Sequence, residues 1–194
     1  MSIAELPLSP VTRRMTAAEF LALPDEQPCE LVKGVIVEMN PPSPRHAIVI
    51  SNLNYLLTTW ARTHHSGLAG GHETALQTKS EPDTVRGIDG FYISFARLKG
   101  NVLPEGPLLP APELCIEVRS PSNRWTDLLE KAVEYLKIGV EEVWLVEPTL
   151  PPADRFIESH RLDRDPIRFR MGEILTSPSL KEFQMEVGQA FSGI

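Results

Sequence analysis

Two acids and a lysine in this chain are of types, and in contexts, that can do chemistry together. Glu117 closes a short apolar run, Leu114–Cys115–Ile116, that reads as a buried strand ending in Glu117–Val118–Arg119. Asp89 stands in a second apolar run, Gly87–Phe95 (GIDGFYISF). Lys131 follows the break Ser120–Pro121–Ser122, on a helix that opens at Thr126 or Asp127. A carboxylate at the end of a hydrophobic strand is costly unless a cation, a metal or a set of hydrogen bonds compensates it. Two such acids and one lysine are enough to hold a divalent metal and activate a water.

The elements that must position these groups follow from local signals. Thr16 and Glu19 have capping-box spacing for a short helix over Ala17–Leu23. Glu30–Met39 alternates around Lys33–Gly34 and reads as two strands with a tight turn, or as one bulged strand. Ser43 caps and Pro44 opens a long helix to about His64, with Ile50, Leu53, Leu57 and Trp60 at helical spacing. Leu68–Lys79 suggests a strand with a kinked start, Ser80–Arg86 a turn, and Ile88–Phe95 a strand with Asp89 at its entry. Arg97–Ala111 is a proline-rich excursion of the kind that forms a lid or a partner contact. The helix after Thr126 should bury Leu128, Leu129, Ala132, Val133 and Leu136, with Lys131 at the flank beside Tyr135, whence a long side chain reaches back to the sheet. Glu142–Glu147 is a further buried strand. Arg155–Arg161 and Ile167–Thr176 read as a closing strand pair around the turn Asp163–Pro166, and Phe183, Val187 and Phe191 as apolar positions on a last short element.

The 194 residues suit one domain over 15–194, preceded by a loose arm over 1–14. Neither a signal peptide nor a membrane span is expected, and Cys29 and Cys115 read as reduced core thiols, so the expected location is the cytoplasm. A net charge of −7 argues against a strong non-specific duplex binder, although metal-binding acids count toward that total. No zinc-site spacing surrounds His64–His65 or His72–Glu73, Gly67–Gly71 is not a phosphate-binding loop, and no dinucleotide fingerprint occurs.

The order helix, strand pair, long helix, strand, Asp-bearing strand, Glu-bearing strand, helix resembles the PD-(D/E)XK restriction-endonuclease-like superfamily, and within it the Uma family of endonucleases. The resemblance rests on Cys29–Gly34 (CELVKG), Arg45–His46 ahead of the long helix, Ile116–Asn123 (IEVRSPSN), the helical spacing of Asp127, Lys131 and Tyr135, and Gly139–Val146. It runs from about Thr16 to Val187. It implies an α/β fold with a mixed central sheet, flanking helices and additional strands at both ends. It also implies Mg²⁺ or Mn²⁺ held by Asp89, Glu117 and the Val118 carbonyl, with Lys131 orienting or deprotonating a water and Glu30 as an outer or second-metal ligand. DNA is the implied substrate and a homodimer the expected assembly. The pattern departs at Ile88, where the family has proline, and at Arg119, where the archetype has a lysine. Arginine stays protonated and cannot act as a base, so the resemblance assigns that function to Lys131.

Each group also has a plainer role. Asp89 would bond within a turn, Glu117 would pair with Arg119 or Lys131, and Lys131 would be a solvated partner of Asp127. His46 reads as a cap or phosphate contact, and Ser120 and Ser122 as turn residues. The alternative for the whole chain is a nucleic-acid-binding or oligomerisation module that keeps the fold without turnover.

Overall fold

The computed structural model describes residues 13–24 and 28–194. The arm expected over 1–14 lies outside these residues except for Arg13 and Arg14. Thr16 Oγ accepts the Glu19 N–H at 3.2 Å and the Glu19 carboxylate accepts the Thr16 N–H at 2.9 Å, starting α1 (Ala17–Leu21). β1 (Cys29–Val32) and β2 (Val35–Glu38) form an antiparallel hairpin. Its turn residues Lys33 and Gly34 both have positive φ, 52° and 77°, as a two-residue turn of this hand requires. Ser43 caps α2 (Pro44–Thr63), with Pro44 at its first position.

β3 (Gly67–Lys79) and β4 (Thr84–Ser94) pair antiparallel over their length. The kink expected at the start of β3 falls inside it, where His72 and Glu73 take positive φ and the register shifts. β4 begins four residues before the expected Ile88, so Asp89 stands in mid-strand and not at its entry. β5 (Leu114–Val118) and β6 (Glu142–Glu147) run parallel, linked across the sheet face by α3 (Trp125–Lys137). β7 (Phe156–His160) and β8 (Ile167–Arg170) complete a mixed, mostly antiparallel sheet in the order β2-β1-β4-β5-β6-β7-β8, with β3 on the other edge of β4. The closing strand expected over Ile167–Thr176 divides in two. The chain turns at Gly172, φ 84°, and β9 (Ile174–Thr176) pairs instead with β10 (Gln184–Glu186).

The alternation of strand side chains assigns the two faces of the sheet. On β5, Leu114, Ile116 and Val118 join α2 residues Val49, Leu53, Leu57 and Ala61 in one core, with Trp144 and Val146 of β6. Cys115 of β5 joins Leu128, Ala132, Tyr135 and Leu136 of α3, with Val143 and Leu145, in the other. The same period turns Glu117 toward α3. That helix starts at Trp125, one residue before the expected opening, because the Asp127 carboxylate accepts the Arg124 N–H at 3.1 Å. Its buried stripe includes Lys131 and Tyr135, whereas Val133, expected inside, is 49% exposed.

The excursion over 97–111 is tied down away from the candidate site. Arg97 donates to the carbonyls of Ala111, Pro112 and Gly139 at 2.9–3.1 Å, and Leu98 and Leu109 are buried. None of these residues lines the site's pocket, so of the two expected roles, lid or partner contact, a lid over this site is not formed. No helix among the described residues is long and apolar enough to cross a membrane.

Candidate active site

The site lies where the sheet is left open. Val85 of β4 pairs with Gln77 on one side and Leu31 of β1 on the other, and Phe91 pairs with Gly70 and with Cys115 of β5. β1 and β5 therefore share one edge of β4, and the stretch Arg86–Asp89 between them has no strand beside it on that edge. Carboxylates complete the bonding there. Glu30 Oε1 accepts the Gly87 N–H at 3.2 Å, and Asp89 Oδ2 accepts the Val118 N–H at 2.7 Å.

Lys131 reaches into this gap from α3. Its Nζ lies 2.8 Å from Glu30 Oε1 and 3.0 Å from Glu117 Oε2. Tyr135, one turn further along α3, donates to Glu117 Oε1 at 2.7 Å. Arg86 binds Glu30 Oε2 at 2.8 Å and grips both oxygens of Glu134. The chain thus brings Glu30, Asp89, Glu117 and Lys131 into one pocket of about 360 Å³, and all four are less than a tenth exposed. Asp127, the partner expected for a solvated Lys131, pairs with Arg124 instead. Arg119 turns away to Glu147 at 2.5 Å and does not enter the site.

Three acids share this space with one lysine, and the protonation equilibria follow. Burial pushes the Glu117 carboxyl up to about 7; Asp89 and Glu30 add to that, while Lys131 and the Tyr135 bond oppose it. Burial alone would discharge Lys131, but Glu117 and Glu30 outweigh it and hold the ammonium well above its ordinary range. Burial also drives the Tyr135 hydroxyl up, so it remains a donor to Glu117. Between pH 4.5 and about 7 the unfolded chain releases a Glu117 proton that the folded chain keeps, so this group's contribution to stability falls as pH rises. The ion-free protein should lose up to about 3 kcal/mol across that window on this account, and Glu117→Gln should remove the slope. Urea unfolding of both proteins at pH 5 and pH 7.5 measures it; equal slopes would refute the assignment.

His46, in the first turn of α2, is not the cap of that helix and lines the pocket. Its N–H donates to the capping Ser43 Oγ at 3.3 Å, while Nε2 of its buried ring lies 3.1 Å from Asp89 Oδ2. Burial pulls its pKa down, but the bond to Asp89, the charges of Asp89 and Glu117 and the Val118 backbone leave it above the ordinary value.

Both hydrogen bonds of Asp89 fall on Oδ2. Asp89, Glu117 and Val118 line one pocket, and carboxylate and carbonyl oxygens are the donors a hard dication takes. Among the described residues no three or more His, Cys, Asp or Glu side chains are grouped so as to hold a metal ion. Oxygens of two carboxylates and a carbonyl are the donor type Mg²⁺ takes, since it is commonly bound through one or two carboxylates and keeps several waters. Glu30, expected as an outer or second ligand, has both oxygens engaged by Arg86, Lys131 and the Gly87 N–H. It holds Lys131 in place.

Arg86 and Glu134 carried no local signal that marked them in the sequence. Tyr135 was visible only as a motif position, and the contact of His46 with Asp89 spans 43 residues of chain.

The fold so built is that of a nuclease-like α/β protein. A solved structure described as "a putative nuclease belonging to DUF820 from Anabaena variabilis" shares it with a TM-score of 0.76, covering 92% of this chain and 98% of that one at 21% sequence identity. The chain belongs to the Uma2 family, described as "Putative restriction endonuclease", which matches residues 17–188. No curated protein matches it.

Proposed function

We propose that the chain is a divalent-cation-dependent nuclease that hydrolyses DNA phosphodiester bonds at the centre formed by Asp89, Glu117 and Lys131. The observation that carries this reading is the meeting of these groups, from β4, β5 and α3, in one buried pocket of a chain in a restriction-endonuclease family. Asp89, Glu117 and the Val118 carbonyl would hold Mg²⁺ or Mn²⁺. Bound there, such an ion supplies a water of lowered pKa and positive charge beside the scissile phosphate.

The chain's own groups set up the rest. Lys131 is held as an ammonium by Glu30 and Glu117, so it steadies negative charge on phosphate oxygens and does not accept the water's proton. Tyr135 and Lys131 fix the orientation of Glu117, and the Val118 N–H and His46 fix Asp89. Arg86, tied to Glu134, holds Glu30 against Lys131.

One observation favours the second reading, a module without turnover. Every oxygen of Glu30 and Glu117 already accepts a bond from the protein. Calorimetric titration of the full chain with Mg²⁺ and Mn²⁺, beside incubation with single-stranded, duplex and nicked DNA, separates the two. The nuclease binds an ion and cuts DNA until EDTA is added; a protein that binds neither ion and cuts no DNA form is the module.

A further inference from the structure

The pocket that holds the acids has a second, apolar side. α1 contributes Phe20, the segment after it Leu23, and the loop between β2 and α2 Met39 and Pro42. Leu23 is 41% exposed, so part of this apolar surface is open to solvent. It lines the same pocket as Asp89, Glu117 and Lys131.

The charges around it are equally specific. Among the lining residues only Lys131 and His46 are basic, and both face carboxylates. Arg119 and Arg124, on the loop that follows β5, are paired with Glu147 and Asp127. Arg45, exposed on the first turn of α2, is a single charge and no track for a row of phosphates. A duplex-binding protein draws its affinity from many phosphate contacts, and among the described residues no row of unpaired basic side chains lines this pocket, in a chain of net charge −7. Unpaired nucleotides offer another source, the faces of their bases against aromatic and apolar side chains. The pocket, of about 360 Å³, is of small-ligand size. Glu30, Asp89, Glu117 and Lys131 are 3%, 8%, 4% and 8% exposed, so a phosphate must enter the pocket to meet them.

We propose that the wall formed by Phe20, Leu23, Met39 and Pro42 is a nucleobase subsite, and that the substrate is unpaired DNA, a single strand or an extruded nucleotide. The base lies against this wall while its phosphate reaches the acids and Lys131. This rests on the nuclease reading for the identity of the substrate, but the subsite has its own readout. A single centre suffices for such a strand, so the second copy expected for duplex cutting is not required.

The test is fluorescence anisotropy of the full chain with a labelled twelve-nucleotide single strand and the same sequence as a blunt duplex. Both are measured in Ca²⁺, followed by cleavage of each in Mn²⁺. The single strand should bind at least about tenfold more tightly than the duplex, and Phe20→Ala should weaken it by roughly tenfold or more. Because Phe20 also packs beside Ala17, Leu31 and Val85, the exposed Leu23→Asp serves as the second variant. It should lose a similar factor with an unchanged melting temperature. Duplex bound and cut as well as the single strand, or Leu23→Asp binding like the parent, overturns the subsite while the nuclease stands. Tight, Leu23-dependent binding without cleavage of either form supports the subsite and removes the nuclease.

Discussion

Lys131→Met is expected to lower the free energy of unfolding by about 3–5 kcal/mol at pH 7.5 and to abolish cation-dependent cleavage. Methionine fills much of the lysine's volume, so the loss is of charge more than of packing. Without the ammonium, Glu30 keeps Arg86, but Glu117, 4% exposed, keeps only the Tyr135 hydroxyl. Removing one partner of a buried pair is costly because the other charge stays buried. The chain's escape is to protonate Glu117, already pushed up to about 7 by burial. The loss should therefore shrink at pH 5, where that proton is cheap, and grow as pH rises. Lys131→Met combined with Glu117→Gln should recover a large part of it, since the double variant leaves no unpaired charge. Urea unfolding of the parent, both single variants and the double variant at two pH values measures this. A loss below about 1 kcal/mol at both would mean that Lys131 is not the charge that keeps the site together.

The second large effect concerns Asp89. Asp89→Asn should reduce cleavage by roughly a thousandfold and remove measurable Mg²⁺ or Mn²⁺ binding, with little change in melting temperature. The amide keeps an oxygen acceptor for the Val118 N–H, which Asp89 takes at 2.7 Å, so the tie between β4 and β5 survives. What it loses is the negative charge that His46 meets and that the proposed cation would meet. Asp89→Ala, in contrast, should also cost about 1–3 kcal/mol, because the buried Val118 N–H then has no acceptor. Calorimetry on the asparagine variant beside single-turnover cleavage decides the matter. Undiminished ion binding in Asp89→Asn would move the cation away from this acid and sink the proposed ligand set.

How much of this was legible beforehand differs by residue. Thr16 with Glu19, and Ser43 with Pro44, act over three or four residues, so their caps stand where the sequence places them. The alternation through Leu114–Val118 likewise predicts two faces, and with them the direction of Glu117. The start of α3 moved because Asp127 bonds the Arg124 backbone, and Val133 fell outside because the helix turned Lys131 and Tyr135 inward. The run Ile167–Thr176 looked continuous because its apolar pattern is continuous. It divides where Gly172 takes a positive φ and β9 finds a partner in β10, ten residues on.

By itself the sequence determined which side chains carry ionisable oxygen or nitrogen on buried elements, and the family to which that order of elements points. It could do so because caps, turns and periods of two or 3.6 are set by neighbours along the chain. Only the tertiary structure decided that β1 and β5 flank one edge of β4 and leave a gap between them. It also decided that Lys131 is shared by Glu30 and Glu117, that Arg119 is drawn off to Glu147, and that His46 meets Asp89. The reason is electrostatic. In a site shielded from water each buried charge must find an opposite one nearby, and which partner lies nearby depends on how the elements pack, across tens of residues of chain.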